Sequence, residues 1–126
     1  MGRNAPGTVG QTAEREALAF LLSRGLQLVS RNFRCRGGEI DLVMLHDGCL
    51  VFVEVRFRQS TRFLTPALTV DQHKQRKILR TAAMFLARHS RFAQHIVRFD
   101  VVAITGARQR CTRWLQDAFR PTDSTL

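Results

Sequence analysis

The stretch GEIDLVMLHDGCLVFVEVRFR, residues 38–58, decides the fold of this 126-residue chain. It holds two runs rich in β-branched and other apolar residues, separated by His46-Asp47-Gly48. An Asp-Gly pair between two such runs is a strong signal for a tight β-hairpin. The stretch therefore predicts two antiparallel strands that are neighbours in one sheet.

Acidic residues interrupt both of these strands. Because side chains alternate between the two faces of a strand, Glu39 and Asp41 are expected on one face of the first strand. By the same rule Glu54 shares a face of the second strand with Arg56. The opposite face of the second strand is wholly apolar and is formed by Val51, Val53, Val55 and Phe57. Carboxylates beside a packed core are costly unless they are paired, hydrogen-bonded or bound to a metal.

The sequences on either side extend the hairpin into an α/β fold. The pattern predicts a helix over residues 13–25, a strand over 26–33, a second helix over 70–89 and one or two strands after it. The order helix, three strands, helix, strand predicts a central mixed sheet flanked by helices. Since the second helix has crossover length, the strands before and after it are expected to be parallel.

Local signals refine the two helices. Thr8 with Gln11, and Thr69 with Gln72, have the spacing of capping boxes. Glu14 lies at helical spacing from the apolar stripe of the first helix, which places this acid on the edge of the packed face. The apolar stripe of the second helix is predicted from Val70, Ile78, Ala82, Phe85 and Leu86.

One domain is expected, because a chain of this length buries a single sizeable core. It covers residues 9–119, between a flexible segment at 1–8 and a polar tail at 120–126. No apolar run approaches the roughly 20 residues that span a bilayer, and the amino terminus lacks a secretory pattern. We therefore expect a cytoplasmic protein without membrane contact. The three cysteines are widely spaced, which fits neither a disulfide framework nor a zinc site.

The net charge of +10 indicates a polyanionic partner. Twenty Lys and Arg residues stand against ten Asp and Glu, and every basic residue except Lys74 and Lys77 is an arginine. Arginine presents a planar fork of donors that binds phosphate oxygens bidentately, and a basic surface attracts nucleic acid at long range. Nucleic acid is therefore the expected partner.

Two arrangements satisfy the carboxylates. In the first, Asp41 and Glu54 hold Mg²⁺ or Mn²⁺ through hard oxygen ligands, with Arg56 beside the attacked phosphate. That arrangement suits phosphodiester hydrolysis. In the second, Glu54 and Arg56 pair with each other or with Asp41 and Arg36 in a half-buried ion-pair network. The residue spacing alone leaves both open.

Longer blocks of sequence add a resemblance. They are G10QTAE14, RNFRCRGGEIDLV at 31–43, LVFVEVRFR at 50–58, V70DQHKQRKI78 and RFDVV at 98–102. With these blocks the chain resembles the YraN family of small bacterial proteins over nearly its whole length. That family is similar to the PD-(D/E)XK nucleases, in particular to archaeal Holliday junction resolvases. The resemblance implies a restriction-endonuclease-like α-β-β-β-α-β core and metal-dependent cleavage of DNA, branched DNA included. Since the resolvases act as symmetric dimers, it also implies a homodimer.

Residue by residue, the resemblance places the metal-binding acids on Asp41 and Glu54 and the acid of the amino-terminal helix on Glu14. The catalytic lysine of the motif is replaced by Arg56. An arginine keeps its proton at neutral pH, so Arg56 is suited to orienting water or binding phosphate and not to accepting a proton. Lys74 is a candidate for a relocated lysine or for a contact with the DNA backbone. Further candidates for phosphate contacts are Arg31, Arg34, Arg36, Arg58 and Arg62.

Two functions follow. The first is a DNA endonuclease that depends on Mg²⁺ or Mn²⁺. The second is a nucleic-acid-binding or scaffold protein that keeps the fold without turnover because of Arg56. Phe33 and Trp114 are aromatic residues of the kind that stack on bases, and core packing is the better interpretation for both.

Overall fold

The computed structural model of the protein describes residues 9–59 and 68–121. In chain order the elements are α1 (Val9–Ser23), β1 (Gln27–Cys35), β2 (Gly38–His46), β3 (Cys49–Arg58), α2 (Gln72–Arg88), a 3₁₀ turn (Ser90–Phe92), β4 (Ile96–Thr105) and β5 (Cys111–Leu115). The predicted order of helix, three strands, helix and strand is confirmed, and β5 is the second of the two final strands. Within the described residues, neither helix has the length and apolar character that crossing a membrane requires. The predicted flexible segment 1–8, Thr8 of the first capping box and residues 122–126 lie outside the described residues.

The five strands form one mixed sheet in the order β1-β2-β3-β4-β5. Neighbours are antiparallel except β3 and β4, which run parallel and are joined through α2, as predicted. The β2–β3 hairpin turns at Asp47 and Gly48, whose φ angles of 50° and 82° are those of a two-residue type I′ turn. The sequence pattern thus predicted both the hairpin and the α/β class correctly.

One helix covers each face of the sheet. On the α1 side, Ala13, Ala17 and Leu21 pack against Val51 and Val53 of β3. On the α2 side, the intervening β3 residues pack with the helix in a second core cluster that includes Leu50, Phe52, Ile78, Ala82 and Phe85. Successive residues of β3 therefore pack alternately into the two core clusters. By this alternation Glu54, two residues after Phe52, lies on the α2 side.

The start of α2 corrects the predicted capping box. The N-cap is Asp71, whose backbone is extended and whose Oδ1 accepts a hydrogen bond from the backbone N–H of Lys74 at 2.8 Å. A short carboxylate satisfies a first-turn N–H well, so Asp71 caps the helix and Thr69 does not. The predicted apolar stripe is confirmed: Val70, Ile78, Ala82 and Phe85 are buried and Leu86 is partly buried.

A polar network holds β5 and the turn after it against β4. Asp100 is fully buried and accepts hydrogen bonds from Nε and Nη2 of Arg98, from Nε1 of Trp114 and from the backbone N–H of Asp117, each at 2.9 Å. A buried carboxylate with so many donors is satisfied. Trp114 and Phe33 both pack against aromatic side chains, Phe20 and Phe85 respectively, which supports core packing for both.

Candidate functional site

A cavity of about 420 Å³ opens where β2 begins, beside the second half of β3 and the first turns of α2. Its walls include Glu39, Asp41, Glu54, Lys74 and Lys77. The structure therefore brings together the acids of both hairpin strands with the two lysines of the chain. Sequence alternation predicted the acids, and the position of α2 over β2 supplies the lysines.

Asp41 lies where β2 separates from β3. The regular pairing of the two strands ends at Leu42 opposite Val53. Beyond that pair, Oδ2 of Asp41 accepts the backbone N–H of Val55 at 2.8 Å, so the carboxylate takes the place of a strand carbonyl. This bond fixes the carboxylate in the wall of the cavity.

The face alternation of β2 is interrupted at the same point, which sequence periodicity did not predict. Ile40 and Val43, three residues apart, pack in the same core cluster, whereas Leu42 packs with α1. On the neighbouring strand, Asn32 lies between the residues that pair with Ile40 and Leu42, and its φ of 53° is in the left-handed region. Asn tolerates that conformation better than most residues, because its short side chain bonds locally.

Burial changes the protonation of Asp41. Removal from water, together with the nearby negative charge of Glu54, raises the pKa of this carboxyl to about 7. The hydrogen bond from Val55 opposes the shift without cancelling it. An acid with a raised pKa in a cavity beside another acid is typical of functional sites.

Two more acids complete the cluster. Carboxylate oxygens of Glu14, Glu39 and Asp41 all lie within 4.8 Å of one another. Burial raises the pKa of Glu14, while a hydrogen bond with Asn32 lowers it. Glu14 thus lies at the edge of the packed face of α1, where helical spacing placed it, and reaches the strand acids.

Glu54 is held by two cations. It is 9% exposed, and its Oε2 lies 3.4 Å from Nε of Arg56 and 3.5 Å from Nζ of Lys74. The Glu54–Arg56 pair of the second arrangement is therefore present. The side chain of Arg56 is 17% exposed and that of Lys74 is 44% exposed, so Lys74 is the more accessible of the two.

The close approach of α2 to the site depends on Gly38. A Cβ atom built at this position would lie 2.1 Å from Oγ1 of Thr81 and 3.4 Å from the carbonyl oxygen of Lys77. Thr81 is buried, and its hydroxyl donates to that carbonyl at 2.8 Å. Since only glycine fits against the helix here, Gly38 sets the distance between β2 and the turns that carry the lysines.

The predicted phosphate contacts differ in availability. Arg34 forms an ion pair with Glu39, with its Nε 3.2 Å from Oε2. Arg31 lies close enough to Glu14 to lower the pKa of that carboxyl. Arg36 and Arg58 are exposed. Arg62 lies outside the described residues.

Sequence reasoning underestimated Glu39 and missed three positions, namely Gly38, Asn32 and Thr81. Glu39 has its carboxylate in the cluster, although the family resemblance places the metal-binding acids on Asp41 and Glu54. The Gly37-Gly38 pair ahead of β2 was the available signal for a close backbone approach. Nothing in the sequence indicates that Thr81, two turns after Lys74, faces Gly38.

Comparison with known proteins identifies the family. The profile of the "Uncharacterised protein family UPF0102" matches residues 13–104. The chain belongs to the UPF0102 family. UPF0102 proteins similar to it include one from Pseudomonas putida strain W619, 44% identical over 121 residues, which are 94% of this chain and 98% of the relative. Another, from Stutzerimonas stutzeri strain A1501, is 47% identical over 111 residues, covering 87% of this chain and 92% of the relative.

This membership confirms the resemblance drawn from the sequence blocks. The UPF0102 match runs from α1 to β4 and so includes Glu14, Asp41, Glu54, Arg56 and Lys74. A third UPF0102 protein, from Nitrosomonas europaea, is 43% identical over 116 residues. The relatives carry the family designation without an activity, so the function of this chain is argued from its site.

Proposed function

We propose that this UPF0102 protein binds nucleic acid and hydrolyses phosphodiester bonds in DNA with the help of Mg²⁺ or Mn²⁺. One observation carries the proposal: the acids of β2 and β3 line one cavity with Lys74, Glu14 of α1 reaches Glu39 and Asp41 there, and burial beside Glu54 raises the pKa of Asp41 to about 7. The order of elements is also compatible with the nuclease-like core that the family resemblance implies.

The donor set fits a divalent cation. Oxygens of Glu14, Glu39 and Asp41 lie within 4.8 Å of one another, and carboxylate oxygens are the ligands that Mg²⁺ and Mn²⁺ prefer. Asp41 and Glu54 line the same cavity, so Glu54 is placed to join them. A bound cation would supply Lewis-acid activation of the scissile phosphate and of an attacking water.

The remaining groups suit the binding of an anionic substrate. Lys74 lies at the mouth of the cavity with its side chain 44% exposed, so its ammonium group can contact a phosphate or the attacking water. Arg56 is held against Glu54, with its Nε 3.4 Å from Oε2 of that carboxylate. In this assignment Lys74 supplies the lysine that Arg56 replaces in the strand motif.

A second function is favoured by the same ion pairs. Two cations already neutralise Glu54, and this arrangement stabilises the fold without any metal. A UPF0102 protein that uses the cavity only to bind nucleic acid would have this geometry. The two functions make the same prediction for binding and different predictions for cleavage.

The deciding experiment combines cleavage and binding. The purified protein is incubated with labelled duplex, four-way junction and single-stranded DNA in Mg²⁺, Mn²⁺ or EDTA. We expect metal-dependent cleavage in the wild type, none in Asp41→Asn or Glu54→Gln, and binding in EDTA by all three proteins. Asp47→Asn, an isosteric change in the exposed hairpin turn, is the matched control and should cleave like the wild type.

Binding in EDTA without cleavage of any substrate would favour the binding function. A protein that binds neither these DNAs nor matched RNA would contradict both functions. Competition with matched RNA across a salt series identifies the preferred polymer, since phosphate contacts produce a salt dependence with either one.

A further inference from the structure

The β4–β5 hairpin forms a basic surface on the side of the cavity away from β1. The β4–β5 hairpin connects Thr105 to Cys111, and these two residues pair with each other while Thr105 also pairs with Arg58 of β3. The hairpin loop therefore lies at the same end of the sheet as the carboxylate cavity. From Ala103 to Leu115 the chain has three arginines and no acid.

The register of the sheet places one of these arginines near the site. Arg56 pairs with Ala103, and Ala103 pairs with Arg113. Paired residues on adjacent strands project from the same face, so Arg113 shares its face with Arg56. Two strand spacings of about 4.8 Å separate their backbones by roughly 10 Å. At about 3.4 Å of rise per nucleotide, this corresponds to about three nucleotides along a DNA strand.

The β4–β5 loop, which carries Arg108, is held in a fixed position. The backbone N–H of Gly106 donates to the carbonyl oxygen of Arg58 at 2.9 Å. Gly106 has a φ of 99°, and a Cβ atom there would lie 2.2 Å from the carbonyl oxygen of Gln109. Arg110 anchors the other side, with its guanidinium 4.8 Å from the ring centre of Phe57 and Nη2 3.5 Å from Glu16.

Two arginines of this hairpin remain available. Arg108 and Arg113 are exposed, and neither has an ion-pair partner within the described parts of the chain. Across the sheet, Arg31, Arg34 and Arg36 lie at the β1 side of the carboxylates. Four strand spacings of about 4.8 Å separate β1 from β5, roughly 19 Å in all, which is close to the length of five or six base pairs.

We propose that Arg108 and Arg113 of the β4–β5 hairpin form a second phosphate-contacting surface, so that a bound duplex crosses the sheet end from β1 to β5 over the carboxylates. This inference rests on the proposed function and adds the direction in which the duplex lies. Phosphate is the chemistry that matches exposed guanidinium groups without acidic neighbours.

The test measures binding of a duplex of about 20 base pairs in EDTA, by fluorescence anisotropy across a salt series. In the double variant Arg108→Gln/Arg113→Gln we expect at least a tenfold rise in Kd. The slope of log K against log salt should become less negative by about 1.8, which is about 0.9 for each lost phosphate contact. The double variant with Lys at both positions should keep a slope close to that of the wild type.

The matched control removes the same charge elsewhere. Arg24 and Arg91 follow the ends of α1 and α2 and lie against the rings of Phe20 and Phe92. The double variant Arg24→Gln/Arg91→Gln should bind within about twofold of the wild type. If the hairpin variant keeps the slope of this control while Lys77→Gln or Arg36→Gln weakens binding, the second surface is wrong and the proposed function stands. If the wild type binds no nucleic acid, both are wrong.

Hydroxyl-radical footprinting tests the direction of the duplex independently. The wild type should protect backbone on both sides of the central position, and Arg108→Gln/Arg113→Gln should lose protection on one side alone. A footprint shortened equally on both sides, or not shortened, would contradict the proposed direction of the duplex.

Discussion

Lys74 and Glu54 meet across the cavity, with Nζ of the lysine on α2 lying 3.5 Å from Oε2 of the glutamate on β3. The backbone N–H of the same lysine is bound by the N-cap carboxylate of Asp71 at 2.8 Å. Helix capping and the site are therefore linked through one residue. The position of the lysine is set by the first turn of α2, not by the strand that carries Glu54.

Replacing Lys74 with Gln should abolish cleavage while the protein remains folded. The side chain is 44% exposed, so the packing lost is small, whereas the ammonium group that we propose to contact the phosphate is lost entirely. We expect the cleavage rate to fall by about 10² or more, within the range for removal of one charged stabilising group. Single-turnover cleavage at saturating protein checks this. Arg76→Gln, on the same helix, is the control; an equal loss in both variants would assign the effect to general charge.

Replacing Arg56 with Lys tests whether the arginine limits the chemistry. Arg56 pairs with Glu54 at 3.4 Å. A lysine at this position would keep the positive charge and replace the planar guanidinium group with a compact ammonium group. If Arg56 restrains turnover, Arg56→Lys should raise metal-dependent cleavage. Unchanged or lower cleavage in the same assay would show that Arg56 does not restrain turnover.

The buried carboxylate of Asp100 should contribute strongly to stability. Asp100→Asn removes the charge that faces Arg98 and places an amide N–H₂ among donors that need an acceptor. We expect a loss of about 2–4 kcal/mol in the free energy of unfolding, as for other broken buried pairs. Urea unfolding followed by the fluorescence of Trp114 measures it. Asp117→Asn, at the exposed turn, should leave the midpoint near that of the wild type.

Much of the fold followed from local patterns. Period-two alternation around Asp47-Gly48 predicted the hairpin, and helical spacing predicted both helices and the position of Glu14 on the edge of the packed face of α1. These features are fixed by neighbours in sequence, which is why they could be predicted. The N-cap of α2 was misassigned because Thr69 and Asp71 are both good capping residues, and only the path of the chain selects Asp71.

The site depended more on tertiary structure. The pairing of Lys74 with Glu54, the interrupted alternation at Asp41 and the bond from Val55 arise where β2 leaves β3 and α2 crosses it. No residue pattern along one strand encodes these distances. The relation of Arg113 to the site likewise follows only from the sheet register, which puts it on the same face as Arg56, two strands away.

Stability should depend on pH through Asp41. The unfolded chain titrates this residue near 3.8, whereas the folded protein retains the proton up to about 7. Between these values the folded state binds more protons, so without metal the free energy of unfolding falls as the pH rises from about 4 to about 7. The Asp41→Asn amide keeps an acceptor for Val55 and carries no charge. It should be more stable than the wild type near pH 8, by on the order of 2–4 kcal/mol, and similar near pH 4.

Urea unfolding in EDTA at the two pH values checks this sign. Asp47→Asn, in the exposed turn, should show no such difference from the wild type. Adding Mn²⁺ near pH 8 should raise the unfolding midpoint of the wild type and leave that of Asp41→Asn nearly unchanged, because bound cation stabilises only the folded state that holds it. A wild type that becomes more stable than Asp41→Asn on raising the pH in EDTA would contradict the assignment.

Gly38 and Thr81 should be coupled, because the helix and the strand touch at that point. In Gly38→Ala the new methyl group would lie 2.1 Å from Oγ1 of Thr81, so α2 must shift away from β2. We expect a loss of about 1–3 kcal/mol in unfolding free energy, typical of overpacking, together with weaker cleavage as Lys74 moves from Glu54. Thr81→Ala removes the clashing hydroxyl and leaves the next contacts of the methyl group at 3.4 and 3.5 Å, so the double variant Gly38→Ala/Thr81→Ala should recover both properties. A double-mutant cycle in unfolding free energy and in cleavage measures the coupling, and purely additive losses would show that Gly38 does not set the distance between α2 and β2.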